Sequence, residues 1–321
     1  MSAAESPKAG QVQGDAQIVP PGAKLEELWN EGEFTEGVAV GPDGAIYFSD
    51  IPMDEPPGRI LKYSPKTGKT TVHSADSGKS NGLMFDRKGR LIACCGALYG
   101  KRALVEVLKE GSLRVIVDRY EGKPLNAPND LVIDPQGRIY FSDPRYVGHE
   151  PMDLDHMSVY RLDPDGSLHR VTTDIDKPNG LHLSPDARTL YVAETDNGTA
   201  NIEPGKTVPP GRMTLNAFPI KADGSLGAKR VLVDFGKKTG IDGMAIDLKG
   251  NIYGAVRSED RYGIVVYNPD GNELAYIATP DLPTNCCFGI GDEAKTLYIT
   301  AGKGLYRIRL NQEGYHPAIA K

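Results

Sequence analysis

The sequence predicts an all-β fold, a six-bladed β-propeller whose last blade is closed by an N-terminal strand. Two observations lead to this prediction. The chain of 321 residues contains 37 glycines and 24 prolines, and because both residues interrupt helices, many short strands joined by tight turns are expected. In addition, a strand–turn–strand pattern occurs six times along the chain, which is typical of a repeated blade.

The six copies each begin with an oxygen-bearing residue and recur at similar spacing. Successive copies start 45, 48, 50, 63 and 43 residues apart. They read EGVAVGPDGAIYFSD from Glu36, NGLMFDRKGRLIACC from Asn81, NDLVIDPQGRIYFSD from Asn129, NGLHLSPDARTLYVAE from Asn179, DGMAIDLKGNIYGAV from Asp242 and NCCFGIGDEAKTLYITA from Asn285. A period of about 40–50 residues indicates blades of four antiparallel strands.

The letters within a copy predict its individual strands. In the third copy, LVID is an apolar run, PQGR is a turn, and IYFSD is rich in β-forming residues. SVYRLDP, an Asp-Gly turn and LHRVTTD follow, and GRILKYS and KTTVHS do the same in the first copy. Asp-Gly and Thr-Gly between apolar runs are typical of hairpins, so each copy supplies four consecutive strands.

The two ends of the chain predict how the ring closes. After the sixth copy only one further strand follows, GLYRIRL at 304–310, whereas AKLEELWN at 23–30 precedes the first copy. The early segment is therefore expected to be the outer strand of the last blade. Residues 21–321 are predicted to form a single propeller catalytic domain, and residues 1–20, rich in Ala, Pro, Gly and Gln, a flexible N-terminal arm.

Composition excludes several classes of partner. The chain has 37 basic and 43 acidic residues and no run of Lys or Arg, which argues against nucleic-acid binding. No stretch of eighteen apolar residues is present, so no membrane span is expected. The expected partner is a small molecule, and the protein is expected to be a soluble monomer or weak dimer. The start, MSAAESPKAG, lacks the layout of a signal peptide. The compartment therefore stays open: the protein is either cytoplasmic or exported, with its signal peptide already absent.

The first residue of each copy is predicted to lie at the start of an inner strand, so that the six residues form a ring around the central channel. The ring consists of Glu36, Asn81, Asn129, Asn179, Asp242 and Asn285. One interpretation is that these residues merely make turns between blades. The other is that they bind a hard cation, since Ca²⁺ takes about six to eight oxygen ligands. The negative charges of two carboxylates on one axis also require a positive partner.

Further polar residues are predicted on the same face. The second strands end at Asp50, Asp143 and Glu194, which are interpreted as groups around the metal, as ligands of an additional ion, or as polar strand ends. The long connection 144–157 is either a lid over this face or a disordered loop. On it, Arg145, Tyr146 and His149 are candidates for binding substrate. Asn81, Asn285 and Asp143 complete the predicted substrate-binding set.

The motifs resemble a known family. NDLVIDPQGRIYFSDPRY resembles a signature of the family that joins gluconolactonases, regucalcin and the luciferin-regenerating enzyme, and KPNGLHLSPDARTLYVAET, IDGMAIDLKGNIYGAV and PTNCCFGIGDEAKTLYITAGKGLYRI are similar to its later blades. The resemblance implies a divalent cation in the channel, usually Ca²⁺, with Zn²⁺, Mg²⁺ or Mn²⁺ as alternatives. Matched by motif, its four metal ligands fall on Glu36, Asn129, Asn179 and Asp242. Asp242 also inherits the family's proton-transfer role, with Asp143 or Glu36 as alternatives.

The sequence departs from the family near the predicted substrate site. Where many lactonases carry Glu-His-Gly-Asn-Arg-Arg, this chain reads CCGALYGKRAL, and Ala127 stands where the animal members have Arg. The function expected is a metal-dependent hydrolase of a lactone, with a sugar lactone such as gluconolactone first. The alternatives are an organophosphate or ester hydrolase on the same scaffold, a non-catalytic Ca²⁺-binding propeller, and a propeller that binds other proteins.

Overall fold

The chain folds into six four-stranded antiparallel blades arranged in a ring. The computed structural model describes residues 12–54, 57–198, 202 and 208–318. Blade 1 contains β3 (Thr35–Val40), β4 (Ile46–Asp50), β5 (Arg59–Ser64) and β6 (Lys69–Ser74). Blade 2 contains β7 (Ser80–Phe85), β8 (Leu91–Cys95), β9 (Ala103–Val107) and β10 (Leu113–Val117). Blade 3 contains β13 (Leu131–Ile133), β14 (Ile139–Asp143), β15 (Ser158–Leu162) and β16 (Leu168–Thr172).

The second half of the chain repeats this order. Blade 4 contains β17 (Pro178–Leu183), β18 (Thr189–Thr195), β19 (Met213–Pro219) and β20 (Arg230–Asp234). Blade 5 contains β21 (Ile241–Ile246), β22 (Ile252–Val256), β23 (Gly263–Tyr267) and β24 (Glu273–Ala278). Blade 6 contains β25 (Pro283–Phe288), β26 (Thr296–Ala301), β27 (Gly304–Arg309) and β2 (Glu26–Trp29). A small hairpin of β11 (Arg119–Tyr120) and β12 (Lys123–Pro124) follows blade 2, and a 3₁₀ turn spans Gly291–Glu293.

The predicted closure of the ring is confirmed. Strand β2 pairs antiparallel with β27, with Glu26 opposite Arg307, and the Arg307 Nε donates to Glu26 Oε2 at 2.8 Å. The first and last parts of the propeller therefore share one sheet. No helix among the described residues is long and apolar enough to cross a membrane.

Residues 12–20 differ from the expected flexible arm. Strand β1 (Val12–Gly14) adds a fifth strand to blade 5 by pairing with β24, and Ile18 and Val19 are buried in a cluster of side chains from blades 5 and 6. Gly14 has φ +123°, and a Cβ there would lie 2.4 Å from the Ala275 Cα, so this edge accepts only glycine without rearrangement. The rest of the expected arm, residues 1–11, lies outside the described part of the chain.

The core consists of apolar side chains packed between neighbouring blades. Inner strands such as β3 and β17 are buried along their whole length, whereas the outer strand β10 exposes Val115 and Ile116. The four cysteines are free thiols, and all but Cys287 are buried. The inner strands thus hold the central channel rigidly, because each is packed by blades on both sides.

The segment after β27 closes the channel at the end where the inner strands finish. The backbone N–H of Tyr315 donates to Ile246 O at 2.8 Å, and Gly314 forms a β-bridge with Asp247. Behind this segment lies a cavity of about 60 Å³, which His182 lines. Burial lowers the pKa of His182 to about 4. The channel therefore opens mainly at its other end.

Candidate functional site

A cavity of about 420 Å³ opens around the axis on the face where the inner strands begin. The structure brings five of the six predicted ring residues together in its lining. They are Glu36, Asn81, Asn129, Asn179 and Asp242. All but Asn129 are the second residue of an inner strand, and Asn129 stands two residues before the inner strand of blade 3. Equivalent positions in the repeat thus converge because the blades are arranged around one axis.

The sixth predicted ring residue, Asn285, does not line this cavity. In blade 6, Pro283 pairs with Ala301, as Ser80 pairs with Cys95 in blade 2. The structural equivalent of Asn81 is therefore Thr284, one residue before Asn285. The substrate-binding role predicted for Asn285 is not supported, because its side chain lies one layer deeper in the channel.

Asn285 belongs to a second layer below the ring. The other members of this layer follow the ring residues directly: Gly37, Gly82, Asp130, Gly180 and Gly243. The Asn285 Nδ2 donates to Asp130 Oδ2 at 3.4 Å. A Cβ on Gly82 would lie 2.5 Å from Asp130 Oδ1, and one on Gly243 would lie 2.2 Å from Asn285 Cγ. Gly82 and Gly243 thus leave room for the Asp130 and Asn285 side chains, whereas Gly37 and Gly180 leave room for the next blade's backbone.

Asp130 is a functional candidate that the sequence analysis did not single out. It is buried below Glu36 and Asp242, and burial raises its pKa to about 7, although the Leu131 N–H and the Asn285 amide both oppose the rise. The sequence does mark Asp130, because the third copy has Asp at the position where four other copies have Gly. Its carboxyl group adds to the negative charge beneath the ring.

Both ring carboxylates bind protons more tightly than usual. Burial, followed by the charge of Asp242, raises the pKa of Glu36 well above its usual value. Burial also raises the pKa of Asp242, which Arg257 opposes through an ion pair of 3.1 Å between Nη1 and Oδ2. Arg257 was missed because it follows the second strand of blade 5 and no repeat position marks it. A cation placed between the carboxylates would relieve their repulsion.

The Asn179 amide is oriented by two neighbours. It lowers the pKa of Asp242 and opposes the strong rise that burial causes in the pKa of Tyr146. A hydrogen bond lowers the pKa of an acid when it is donated to the ionised form, so we assign the Asn179 NH₂ to the side of both groups. The Tyr146 hydroxyl in turn donates to Thr195 O at 3.0 Å.

The donor atoms fit a hard divalent cation. Glu36, Asn129, Asn179 and Asp242 offer only oxygen ligands, and oxygen-only sets suit ions such as Ca²⁺. Among the described residues, no group of three or more His, Cys, Asp or Glu side chains is placed to hold a metal, so a site here depends on the two amides. Asn129 is held by its backbone, which donates to Ser142 O at 2.9 Å and accepts from the Gly82 N–H at 2.7 Å.

Besides Asn285, three further predicted substrate-binding residues lie outside the cavity lining. Arg145 is fully buried, and its guanidinium donates to Asn126 O and Glu150 O, each at 2.7 Å. His149 is exposed and packs on Tyr99, with 4.7 Å between ring centroids. Asp143, the third, is considered below. From the predicted lid 144–157, Tyr146 and Val147 do line the cavity.

Asp143 and its equivalents anchor loops. The two oxygens of Asp143 accept from the backbone N–H of Asn126 at 2.8 Å and Ala127 at 2.7 Å. In the same way, Asp50 accepts from the N–H of Glu33. The predicted roles of Asp143 in substrate binding or proton transfer are therefore not supported, since its oxygens face backbone donors.

Known proteins resemble this chain over most of its length. Residues 34–303 match the model of the SMP-30/Gluconolactonase/LRE-like region. A gluconolactonase of Zymomonas mobilis is 32% identical over 326 residues, covering 92% of this chain and 84% of that protein.

Solved structures show the same architecture. A gluconolactonase from Xanthomonas campestris superposes with a TM-score of 0.79 at 30% identity, covering 97% of this chain and 99% of that one. A regucalcin from Agrobacterium tumefaciens, described as a calcium-binding protein, superposes with a TM-score of 0.70 at 22% identity, covering 93% and 98%. At that identity the second likeness concerns the fold alone.

Proposed function

The chain belongs to the SMP-30/gluconolactonase/LRE-like family, and from this premise we propose that it opens sugar lactones with the help of a divalent cation. Its relatives matched over most of their length act on lactones, and the chain is accordingly a lactonase, a carboxylic-ester hydrolase. Gluconolactone is the first substrate to test, because two of the relatives named above are gluconolactonases.

One observation supports the metal above all. Two buried carboxylates, Glu36 and Asp242, share the floor of one cavity with the amides of Asn129 and Asn179. We assign these four side chains as the ligands, with Ca²⁺ as the first candidate and Mg²⁺, Mn²⁺ or Zn²⁺ as alternatives. When bound, such a cation polarises an ester carbonyl as a Lewis acid.

Asp242 is the proposed general base. Its Oδ2 is occupied by Arg257 at 3.1 Å, so Oδ1 is the atom assigned to accept a proton from the attacking water. Burial raises the pKa of Asp242, while Arg257 and the Asn179 amide oppose the rise, and a carboxylate with a raised pKa is a stronger general base than an ordinary one. Glu36 is the alternative base, since it also lines the cavity.

Five further lining residues are assigned to substrate binding. Asn81 and Tyr146 present polar groups beside the floor, which suits the hydroxyl groups of a sugar lactone. Phe34, Met53 and Val147 form an apolar wall above them, suited to the C–H face of the ring. This combination of an apolar wall and a few directed polar groups is typical of small-molecule sites.

The proposal is tested by removing the metal and restoring it. Hydrolysis of gluconolactone, followed by acid release, should be lost in EDTA and recover on adding excess Ca²⁺, while circular dichroism shows that the propeller persists. Hydrolysis that is unchanged in EDTA would refute the metal dependence. Binding of Ca²⁺ without hydrolysis of any aldonolactone would favour a non-catalytic propeller, and faster turnover of phosphotriesters would favour the organophosphate hydrolase.

A further inference from the structure

Two buried lysines occupy equivalent positions in blades 2 and 4. Lys79 stands two residues before Asn81, and Lys177 stands two residues before Asn179. Each side chain is only 2% exposed. The Lys79 ammonium donates to Pro52 O at 2.6 Å and to Asp54 O, and the Lys177 ammonium donates to Asn197 Oδ1 at 2.9 Å and to Gly198 O. Burial lowers the pKa of both.

The surroundings of Lys177 compensate its charge. Asp196 lies 3.6 Å from its ammonium, and the Tyr146 ring lies over it with 5.1 Å to the centroid. Lys177 is absent from the cavity lining, whereas Tyr146 is part of it. This lysine is therefore covered from the cavity and has an acid of its own.

Lys79 is in the opposite situation. It lines the cavity, and its ammonium has no carboxylate within 4.0 Å in the part of the chain that the structure describes; Asp54 and Glu33 attract it from a greater distance. An ammonium group has three donors, and the two carbonyl oxygens use two of them. One donor and a full positive charge remain, and a buried charge without a partner is costly.

The backbone holds Lys79 in a strained conformation. Its φ is +60°, a left-handed conformation that costs a non-glycine residue roughly 1–2 kcal/mol. Its N–H donates to Pro57 O at 2.7 Å and its carbonyl accepts from the Gly96 N–H at 2.9 Å, which fix this conformation. Strain of this kind persists where the surroundings impose it and is frequent at binding sites.

The charges around the cavity indicate what Lys79 binds. The ionisable residues that line it, apart from Tyr146, are two acids, Glu36 and Asp242, and two bases, Lys79 and Arg257. Arg257 is paired with Asp242. If a divalent cation binds the floor as proposed above, the lining gains two positive charges. Formation of the oxyanion does not change this sum, because the proton of the attacking water neutralises Asp242. Since Arg257 is already paired, part of the excess positive charge lies at the Lys79 side.

We propose that Lys79 forms a subsite for an oxyanion group of the substrate, remote from the ester. The preferred substrate is then a sugar lactone with a second, anionic substituent, such as a carboxylate or a phosphate, rather than a neutral aldonolactone. This inference rests on the proposed lactonase function and specifies the substrate class of the same site. The carbonyl oxygens of Pro52 and Asp54 orient the ammonium, so that its third N–H faces the ligand.

The test compares gluconolactone with two anionic analogues, its 6-phosphate and the lactone with a carboxylate at carbon 6. The wild-type protein should have a lower KM for an anionic lactone, and the better of the two identifies the anion. Lys79→Met should raise that KM roughly tenfold or more, as expected for the loss of a charge-assisted hydrogen bond, and change the KM for gluconolactone little. Lys177→Met is the matched control and should preserve the preference.

A second variant and a second readout keep the test decisive. Lys79→Gln retains two donors for the loop carbonyls without the charge, and it replaces Lys79→Met if that variant has a lowered melting temperature. Calorimetric binding of the neutral open-chain alditol, glucitol, and of its 6-phosphate measures selectivity for the anion without turnover. Equal losses for neutral and anionic ligands, or a wild-type preference for the neutral lactone, would overturn the proposal. Selective anion binding without hydrolysis of any lactone would instead refute only the proposed function.

Discussion

The layer of four glycines beneath the ring allows a prediction that is worked directly from distances. A Cβ on Gly243 would lie 2.2 Å from Asn285 Cγ, 2.3 Å from its Oδ1 and 2.4 Å from its Nδ2. Carbon atoms in contact normally lie about 3.5–4.0 Å apart, so the overlap exceeds about 1 Å. All three colliding atoms belong to the Asn285 side chain, which means that removing this side chain should remove the collision.

The expected magnitudes follow from these contacts. Gly243→Ala should destabilise the protein by about 1–3 kcal/mol, the range typical of overpacking. Asn285→Gly removes the acceptor of the Cys286 N–H, at 2.8 Å, and the weak bond to Asp130, which together are worth about 1–2 kcal/mol. The double variant should be more stable than the sum of the two predicts, by about 1–3 kcal/mol, because the two residues share one space.

The measurement is a double-mutant cycle from urea unfolding followed by circular dichroism. Gly82→Ala is the matched control, since its Cβ would lie 2.7 Å from the Asp130 Cα and 2.8 Å from the Asn129 O. These are backbone atoms, so Asn285→Gly should not rescue this variant. If the effects of Gly243→Ala and Asn285→Gly are additive, the account of the glycine layer is wrong.

Three further predictions concern the site. Tyr146→Phe removes a partner of the Asn179 amide and should weaken Ca²⁺ binding by about 10–100-fold in calorimetric titration. Tyr99→Phe is the control at an exposed tyrosine. An unchanged Kd for Ca²⁺ in Tyr146→Phe would contradict the orienting role of Tyr146. Asp242→Asn should lower kcat for gluconolactone by about 10²-fold or more, whereas near-normal turnover would exclude Asp242 as the base. Burial raises the pKa of Asp143 to about 7, from 3.8, so its contribution to stability is present below about pH 4 and is lost as the pH rises to 7. This loss should disappear in Asp143→Asn. If the urea midpoints of the wild type and of this variant change identically with pH, the prediction is wrong.

Much of the fold was predictable because the blades repeat as a recognisable pattern in the sequence. Polar residues at the start of inner strands and alternating apolar runs define the blades, and the match of Glu26–Trp29 to a missing outer strand predicted the closure. By contrast, the sequence VQG of β1 carries no periodic signal, so its addition to blade 5 could not be foreseen. The pairing of β1 depends on the shape of the β24 edge, which exists only after folding.

The site was predictable in its ring and not in its surroundings. Asn285 was aligned one residue late, because it resembles the Asn-Gly and Asn-Asp starts of other blades and only the pairing of Pro283 with Ala301 reveals the register. Arg145 follows the second strand of blade 3 as Arg257 follows that of blade 5, yet one guanidinium is buried against carbonyl oxygens and the other lines the cavity. The direction of a long side chain depends on the loops packed around it, and the repeat pattern does not reveal how those loops fold.

The loop anchors explain how the proposed ligands are held before any metal binds. Asp50 accepts from the N–H groups of residues 33 and 34, which precede Glu36 by two or three positions. Asp143 binds residues 126 and 127 just before Asn129, and Glu194 accepts from the N–H of residue 176, three positions before Asn179.

The three blades with a carboxylate at or next to the end of the second strand are thus the three that supply these ligands. The remaining ligand, Asp242, follows a blade-5 loop with no such acid, and Arg257 contacts it directly instead. Strand-end acids and Arg257 therefore serve one purpose by different means: they fix four oxygen donors from four blades in place, so that little ordering remains to be done when a cation binds.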